Sequence, residues 1–272
     1  MNIEYWKVDP TGNITLIVDT PVPREYQSRI AAQLLERDND AEQVGFLEAS
    51  EKAGARLRLQ MMGGEFCGNA AISAAAIIIG CLEPDGGNGM REISLDVSGA
   101  PDAVPVKVSA EPVGGYCGTV SMPLPESVSG FDLRLGDDTY TLPLVRFPGI
   151  CHCIVSGGLS REMAERCIAG WCGQLDAGAL GLMFYDEAAG SLEPLVYVAT
   201  TGTAVWESSC ASGTAAVAAY LASVQGGDIR ISLREPCGVL SAEAELCGGK
   251  VCSLMLTGKA MIVGKHMAEI DP

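Results

Sequence analysis

Positive charge is scarce in this sequence: 18 lysines and arginines stand against 34 aspartates and glutamates in 272 residues, a formal net charge of −16 at pH 7. No basic run or basic helical stripe offsets it. Such a chain repels phosphate backbones and anionic headgroups, so neither nucleic acid nor a membrane surface is an expected partner. No secretory leader is expected either, because the opening MNIEYWKVDPTGN has no basic stretch followed by an apolar one. No apolar run approaches the roughly 20 residues that span a bilayer. The expectation is a soluble, cytoplasmic protein.

Paired cysteine spacing is absent as well. The 11 cysteines are odd in number and scattered, without a CxxC pair, which argues against a zinc site and fits a reducing compartment. The nearest thing to a metal motif, Cys151-His152-Cys153, sits in a strand-like run over 150–155. Alternation there puts both sulfurs on one face and the imidazole on the other, so the sulfurs read as packing residues.

What the chain has in quantity is apolar surface. At 48% hydrophobic it can bury a large core, as one big domain or two ordinary ones. Strand-like runs dominate, at 14–18, 57–61, 93–97, 104–108, 195–199, 229–233 and 251–256, broken by Gly, Pro and Asp turns. An amphipathic helix is expected over 27–37, and a second over 160–171, where a Ser and two Glu open the run as in a capped helix.

Two further helices are echoes of one another. Cys67-Gly68-Asn69 opens a run of Ala, Ile and Ser that ends at Gly80, and Cys210-Ala211-Ser212-Gly213-Thr214 opens a run of Ala and Val that ends before Gly226-Gly227. The two cysteines lie about half the chain length apart, which suggests two homologous halves. A helix apolar on every side must be surrounded by protein. The expected fold is therefore α/β, with two pseudosymmetric domains, each a curled, barrel-like sheet around a central helix. The expected halves are residues 1–127 and 128–272, joined near 123–130.

Each cysteine stands at a helix start, where unpaired N–H groups and the positive end of the dipole favour an anion. The thiol pKa there is expected to fall toward neutrality, and the same N–H groups can hold a substrate carboxylate. If the two starts face one another, an amino acid between them has its carboxylate on the N–H groups of Gly68, Asn69, Ala211 and Ser212. One sulfur then flanks each face of its α-carbon. A thiolate on one side removes the α-proton and a thiol on the other delivers one, inverting the centre. Neither a clustered metal-ligand spacing nor a lysine within the two helix-start motifs is present, so no metal or pyridoxal cofactor is expected.

At these residues the sequence resembles the diaminopimelate epimerase superfamily. Gly12-Asn13, Glu42-Gln43, Cys67-Gly68-Asn69 and the segment from Cys210 to Thr214 fall in that family's order. The resemblance implies a barrel-like fold, Cys67 and Cys210 as the acid/base pair, and no cofactor. Diaminopimelate epimerases hold the distal end of their substrate with a Glu-Arg pair where this chain has Thr201 and Gly202, and two of their asparagines fall at Ile150 and Ala179. Without the guanidinium, the bidentate clamp on that carboxylate cannot form. Within the superfamily the chain is more similar to the histidine racemases of opine-metallophore pathways. Those matches include Asp9-Pro10-Thr11-Gly12-Asn13, Gly64-Glu65-Phe66-Cys67, Val97-Ser98-Gly99 and Trp206-Glu207-Ser208-Ser209-Cys210.

The remaining candidate substrate contacts each have a plainer alternative. Asn13 serves a turn or the site, and Glu42, beside Gln43, is an exposed helix-end carboxylate or the partner of the substrate ammonium. Glu207 caps a helix or binds substrate, His152 is a packed strand histidine or reads the side chain, and Gln60 aligns with the third family asparagine only across a gap. The expected partners are a small amino-acid substrate and a second copy in a homodimer. The rival readings are a diaminopimelate epimerase with an altered distal pocket and, outside enzymes, a cysteine-rich redox or metal-binding protein.

Overall fold

A computed structural model of the chain describes residues 1–84 and 89–271. The chain divides into two compact units, one of Met1–Ser121 with Thr257–Pro272 and one of Met122–Leu256. This differs from a division near residue 127: the last strand, β16 (Lys250–Glu269), starts in the second unit and ends in the first. Its length is the reason, since 20 residues of unbroken strand far exceed what one ladder needs.

The first unit is a closed eight-stranded barrel. Its strands are β1 (Asn2–Asp9), β2 (Thr15–Val18), β3 (Gln43–Glu48), β4 (Arg58–Met61), β5 (Arg91–Val97), β6 (Val104–Ala110) and β7 (Tyr116–Ser121), with β16 as the eighth. Closure is the antiparallel ladder of β1 on β16, from Asn2 opposite Glu269 to Asp9 opposite Met261, with an irregularity at Lys7/Val8. Helix α1 (Arg24–Arg37) connects the parallel strands β2 and β3, and buries Ile30, Ala31 and Leu34 against Ile3, Leu16, Val44 and Phe46 outside the barrel. Helix α2 (Gly68–Ile77) connects β4 to the parallel β5. All ten of its residues are buried, as an all-round apolar helix requires, and each isoleucine so placed contributes on the order of 1.5–3 kcal/mol. Gly118 of β7 lets the wall come this close: a Cβ there would lie 2.4 Å from Ile72 Cγ2.

The second unit holds β8 (Ser127–Leu135), β9 (Asp138–Phe147), β10 (Ile150–Val155), β11 (Ala179–Asp186), β12 (Ser191–Val198), β13 (Thr203–Trp206), β14 (Ile229–Glu235) and β15 (Gly238–Cys247). The sheet order is β15-β14-β12-β11-β10-β9-β8, with the start of β16 beyond β15 and β13 paired on β12. Helix α3 (Arg161–Gln174) has Ser160 as its N-cap, accepting from the Met163 N–H, and connects the parallel pair β10 and β11. Cys151 and Cys153 face α3, in a cluster with Cys167, Ile168, Trp171, Leu180 and Leu182. Helix α4 (Ala211–Gln225) connects β12 and β13 to β14, which is parallel to β12, and ends on Gly226 in the left-handed conformation (φ 69°) that glycine adopts without strain.

One pair departs from the reading of the cysteines as reduced thiols. Cys247 and Cys252 are bonded across the β15–β16 hairpin, with Cα atoms 5.7 Å apart, because the Gly248-Gly249 turn sets the strand ends side by side. The other nine are free. Among the described residues, no helix is long and apolar enough to cross a membrane, and no group of three or more His, Cys, Asp or Glu could hold a metal ion.

Candidate active site

In the first unit, Cys67 is the N-cap of α2, in an extended conformation (φ −133°, ψ 113°), and its Sγ accepts the Ala70 N–H at 3.4 Å. The loop before it is held from β5. Ser98 Oγ donates to the Glu65 carbonyl at 2.7 Å and accepts the Met61 N–H at 3.0 Å. Gly99 (φ 74°) lies so close to the loop that a Cβ would stand 2.5 Å from the Phe66 nitrogen. The Val97-Ser98-Gly99 motif thus fixes where Cys67 begins its helix. Cys67 itself is half-buried, while Gly68 and Asn69 behind it are buried.

Asn13, Glu42 and Gln43 form one hydrogen-bonded cluster in that unit. Asn13 Nδ2 donates to Glu42 Oε2 at 2.5 Å, and Gln43 Nε2 donates to Asn13 Oδ1 at 2.5 Å and to Thr15 Oγ1 at 2.8 Å. Asn13 reaches them because Asp9 Oδ1 accepts the Gly12 N–H and closes the turn before it. Gln60 is held elsewhere. Its Oε1 accepts from Arg58 Nη2 at 2.8 Å and its Nε2 donates to the Met61 carbonyl at 3.0 Å, so both ends of the amide are engaged by chain neighbours.

In the second unit, Cys210 is the N-cap of α4 in nearly the same conformation (φ −127°, ψ 102°), and its Sγ accepts the Gly213 N–H at 3.4 Å. The surroundings are different. Cys210 is 5% exposed. Its own N–H donates to Glu235 Oε2 at 2.6 Å, and the Thr214 hydroxyl donates to Glu235 Oε1. Ser212 Oγ lies 3.6 Å from Cys210 Sγ and 3.0 Å from His152 Nε2. Glu207, whose N–H donates to the Pro194 carbonyl, brings its carboxylate to hydrogen-bonding distance of the Cys210 side chain. His152 is on the face of β10 opposite the α3 cluster, as strand alternation requires, and is fully buried. A Cβ on Gly181 would lie 2.3 Å from its Nδ1.

A family model described as the histidine racemase CntK N-terminal domain matches residues 2–268. The chain belongs to the histidine racemase family. A histidine racemase of Fusobacterium nucleatum is 31% identical over 88% of this chain and 88% of that protein. One from Staphylococcus aureus is 26% identical over 99% of this chain and 98% of that protein. A probable proline racemase from Agrobacterium radiobacter shares the fold with a TM-score of 0.73 at 14% identity, over 99% of this chain and 94% of that one. A PhzF-family phenazine biosynthesis protein from Bacillus anthracis does so with a TM-score of 0.70, also at 14% identity, over 99% of this chain and all of that one. The protein is an isomerase, in a family of amino-acid racemases.

In this racemase-family chain the electrostatics of the second helix start correct the expectation of a lowered thiol pKa. Burial pushes the Cys210 thiol well above its ordinary value, the carboxylates of Glu207 and Glu235 push it further, and the Ser212 hydrogen bond opposes them. The partial charge at a helix end, about half a unit, is outweighed by lost water and two neighbouring carboxylates. Burial lowers His152 to about 3, so its imidazole is neutral at ordinary pH. Burial also raises Glu235 to about 8, against the pull of its Thr214 and Cys210 N–H bonds. Glu235 was not among the residues singled out in sequence. It follows a strand and precedes Pro236, where an acid reads as a solvated turn residue, and only pairing in the β14–β15 hairpin (Glu235 opposite Gly238) carries it to α4.

Proposed function

We propose that the protein racemises histidine by a two-cysteine proton transfer without pyridoxal phosphate or metal, with Cys67 and Cys210 as the pair. The carrying observation is that in a chain of this family both inner helices are capped by a cysteine whose sulfur receives a backbone N–H of its own first turn. The succession of connections supports the reading of two repeats: in each unit an outer helix links one parallel strand pair, and the cysteine-capped helix links the next.

The thiolate takes the α-proton, the C–H electrons pass into the carboxylate, and the thiol of the other cysteine protonates the opposite face. One S–H forms and one is consumed. A resting enzyme with Cys210 as thiol has Cys67 as thiolate; the turnover leaves Cys67 as thiol and Cys210 as thiolate, the form that acts on the opposite enantiomer. Backbone N–H groups of Gly68, Asn69, Ala211 and Ser212 receive the substrate carboxylate, and the Asn13, Glu42 and Gln43 cluster offers acceptors for its ammonium.

A screen of free amino acids in deuterated water tests this. Histidine is expected to exchange its α-hydrogen and lose optical rotation. Exchange on diaminopimelate but not histidine would move the reading to an epimerase, and exchange on no amino acid would sink it.

A further inference from the structure

Glu235 is a carboxyl 4% exposed at the end of β14, spanning two groups of the first turn of α4: the Cys210 N–H at 2.6 Å and the Thr214 hydroxyl. A helix start leaves N–H groups without partners and is commonly met by an acidic cap from its own chain segment. Here that function comes from a distant strand. Both carboxyl oxygens are engaged, so the side chain cannot swing away, and the cap Cys210 is held from in front by its own amide. The cost is a second carboxyl buried beside a nucleophilic sulfur that Glu207 already contacts.

We propose that Glu235 is a positioning residue for Cys210: it anchors the first turn of α4 through the Cys210 amide and Thr214, and wherever it is ionised its charge opposes loss of the Cys210 proton. This rests on the reading of Cys210 as one of the acid/base pair. The titratable groups facing Cys210 are Glu207 from the segment before α4, Glu235 from β14 and, through Ser212, the neutral His152 from β10. As pH rises Glu235 ionises near 8, and from then on a full negative charge stands against formation of the Cys210 thiolate. Burial alone would keep the thiol protonated to some degree. The paired carboxyl adds a control that a burying methyl group would lack, because it couples the sulfur to a second proton.

The test is the rate at which Cys210 in the full-length protein is alkylated by iodoacetamide across a pH series, quantified on the Cys210 peptide by mass spectrometry. Glu235→Gln keeps both contacts, since its carbonyl accepts from the Cys210 N–H and its amide donates to Thr214, and it removes only the charge. The alkylation midpoint of Cys210 is expected to fall by about one pH unit, which is about tenfold faster modification between the pH at which Glu235 ionises and that midpoint. A merely structural role would leave that midpoint in place, so an unmoved midpoint in folded Glu235→Gln overturns the proposal. If that variant does not fold, Thr214→Val decides: losing a donor that favours the ionised carboxyl keeps Glu235 neutral to higher pH. The Cys210 midpoint is then expected to fall by less, in the same direction, and no movement overturns the proposal. Alkylation needs no turnover, so a wild-type protein that exchanges no histidine hydrogen would defeat the functional reading while leaving this measurement intact.

Discussion

The two helix starts have the same backbone and differ in burial. Cys67 and Cys210 share an extended N-cap conformation and a 3.4 Å hydrogen bond from an N–H three residues on. Around Cys67 the loop is fixed by neutral groups, Ser98 and the close-packed Gly99, and the sulfur is half-buried. Around Cys210 the anchors are carboxyls, and the sulfur is buried. The helix end makes each sulfur a hydrogen-bond acceptor, but at Cys210 burial and nearby carboxylates hold the proton on the thiol. The two-base mechanism proposed for this chain needs one thiol and one thiolate at a time.

The largest effect that bears on this comparison is removal of either sulfur. Cys67→Ser and Cys210→Ser are each expected to lower racemisation by at least the 10²–10⁴-fold typical of a general acid or base, while histidine binding survives because the backbone N–H groups remain. Calorimetric titration beside polarimetry separates the two, and a single variant with near wild-type turnover would remove that cysteine from the mechanism.

The next effect concerns only the Cys210 side. Glu235 binds its proton more tightly in the folded chain, with its pKa raised from 4.5 to about 8, so its contribution is complete below pH 4.5 and is lost as pH climbs through about 8. Unfolding free energy should therefore fall by about 1.4 kcal/mol per pH unit across that window on account of this group. Urea denaturation of wild type and Glu235→Gln at several pH values should show that the variant lacks this slope, and parallel curves would mean that Glu235 is not buried with its proton.

The smallest effect separates a side chain that favours the Cys210 thiolate from those that oppose it. Ser212→Ala deletes the hydroxyl between Cys210 and His152, worth about 0.5–1.5 kcal/mol as an ordinary hydrogen bond. The alkylation midpoint of Cys210 should move up by less than about one unit, opposite in sign to the change in Glu235→Gln. A downward shift would show that the hydroxyl does not donate to the sulfur.

Much of the scaffold was legible because it depends on local pattern. The capped helix at Ser160, the two all-apolar helices and the cysteine at each start follow from side-chain periodicity and cap chemistry. Alternation alone assigned Cys151 and Cys153 to one face of β10 and His152 to the other. Less was legible where strands are short, partly polar or longer than one ladder. The extent of β16 past Leu256 could not be read because Gly258, Lys259, Gly264, Lys265 and His266 interrupt the apolar pattern; Lys259, Lys265 and His266 are exposed, as a strand face that meets solvent allows. Asn13, Glu42 and Gln43 were named separately, and their meeting in one cluster depends on the parallel pairing of β2 with β3.

By itself the sequence determined which residues could carry chemistry at a helix start, because caps and periodicity act within a few residues of chain. The protonation of Cys210 was decided only by tertiary structure. Glu235 lies 25 positions from Cys210, at the end of β14 before a turn, where sequence gives no reason to bury an acid. Whether a carboxyl sits in water or against a sulfur changes its pKa from 4.5 to about 8. Desolvation and charge proximity are properties of the packed neighbourhood, and no local pattern encodes them.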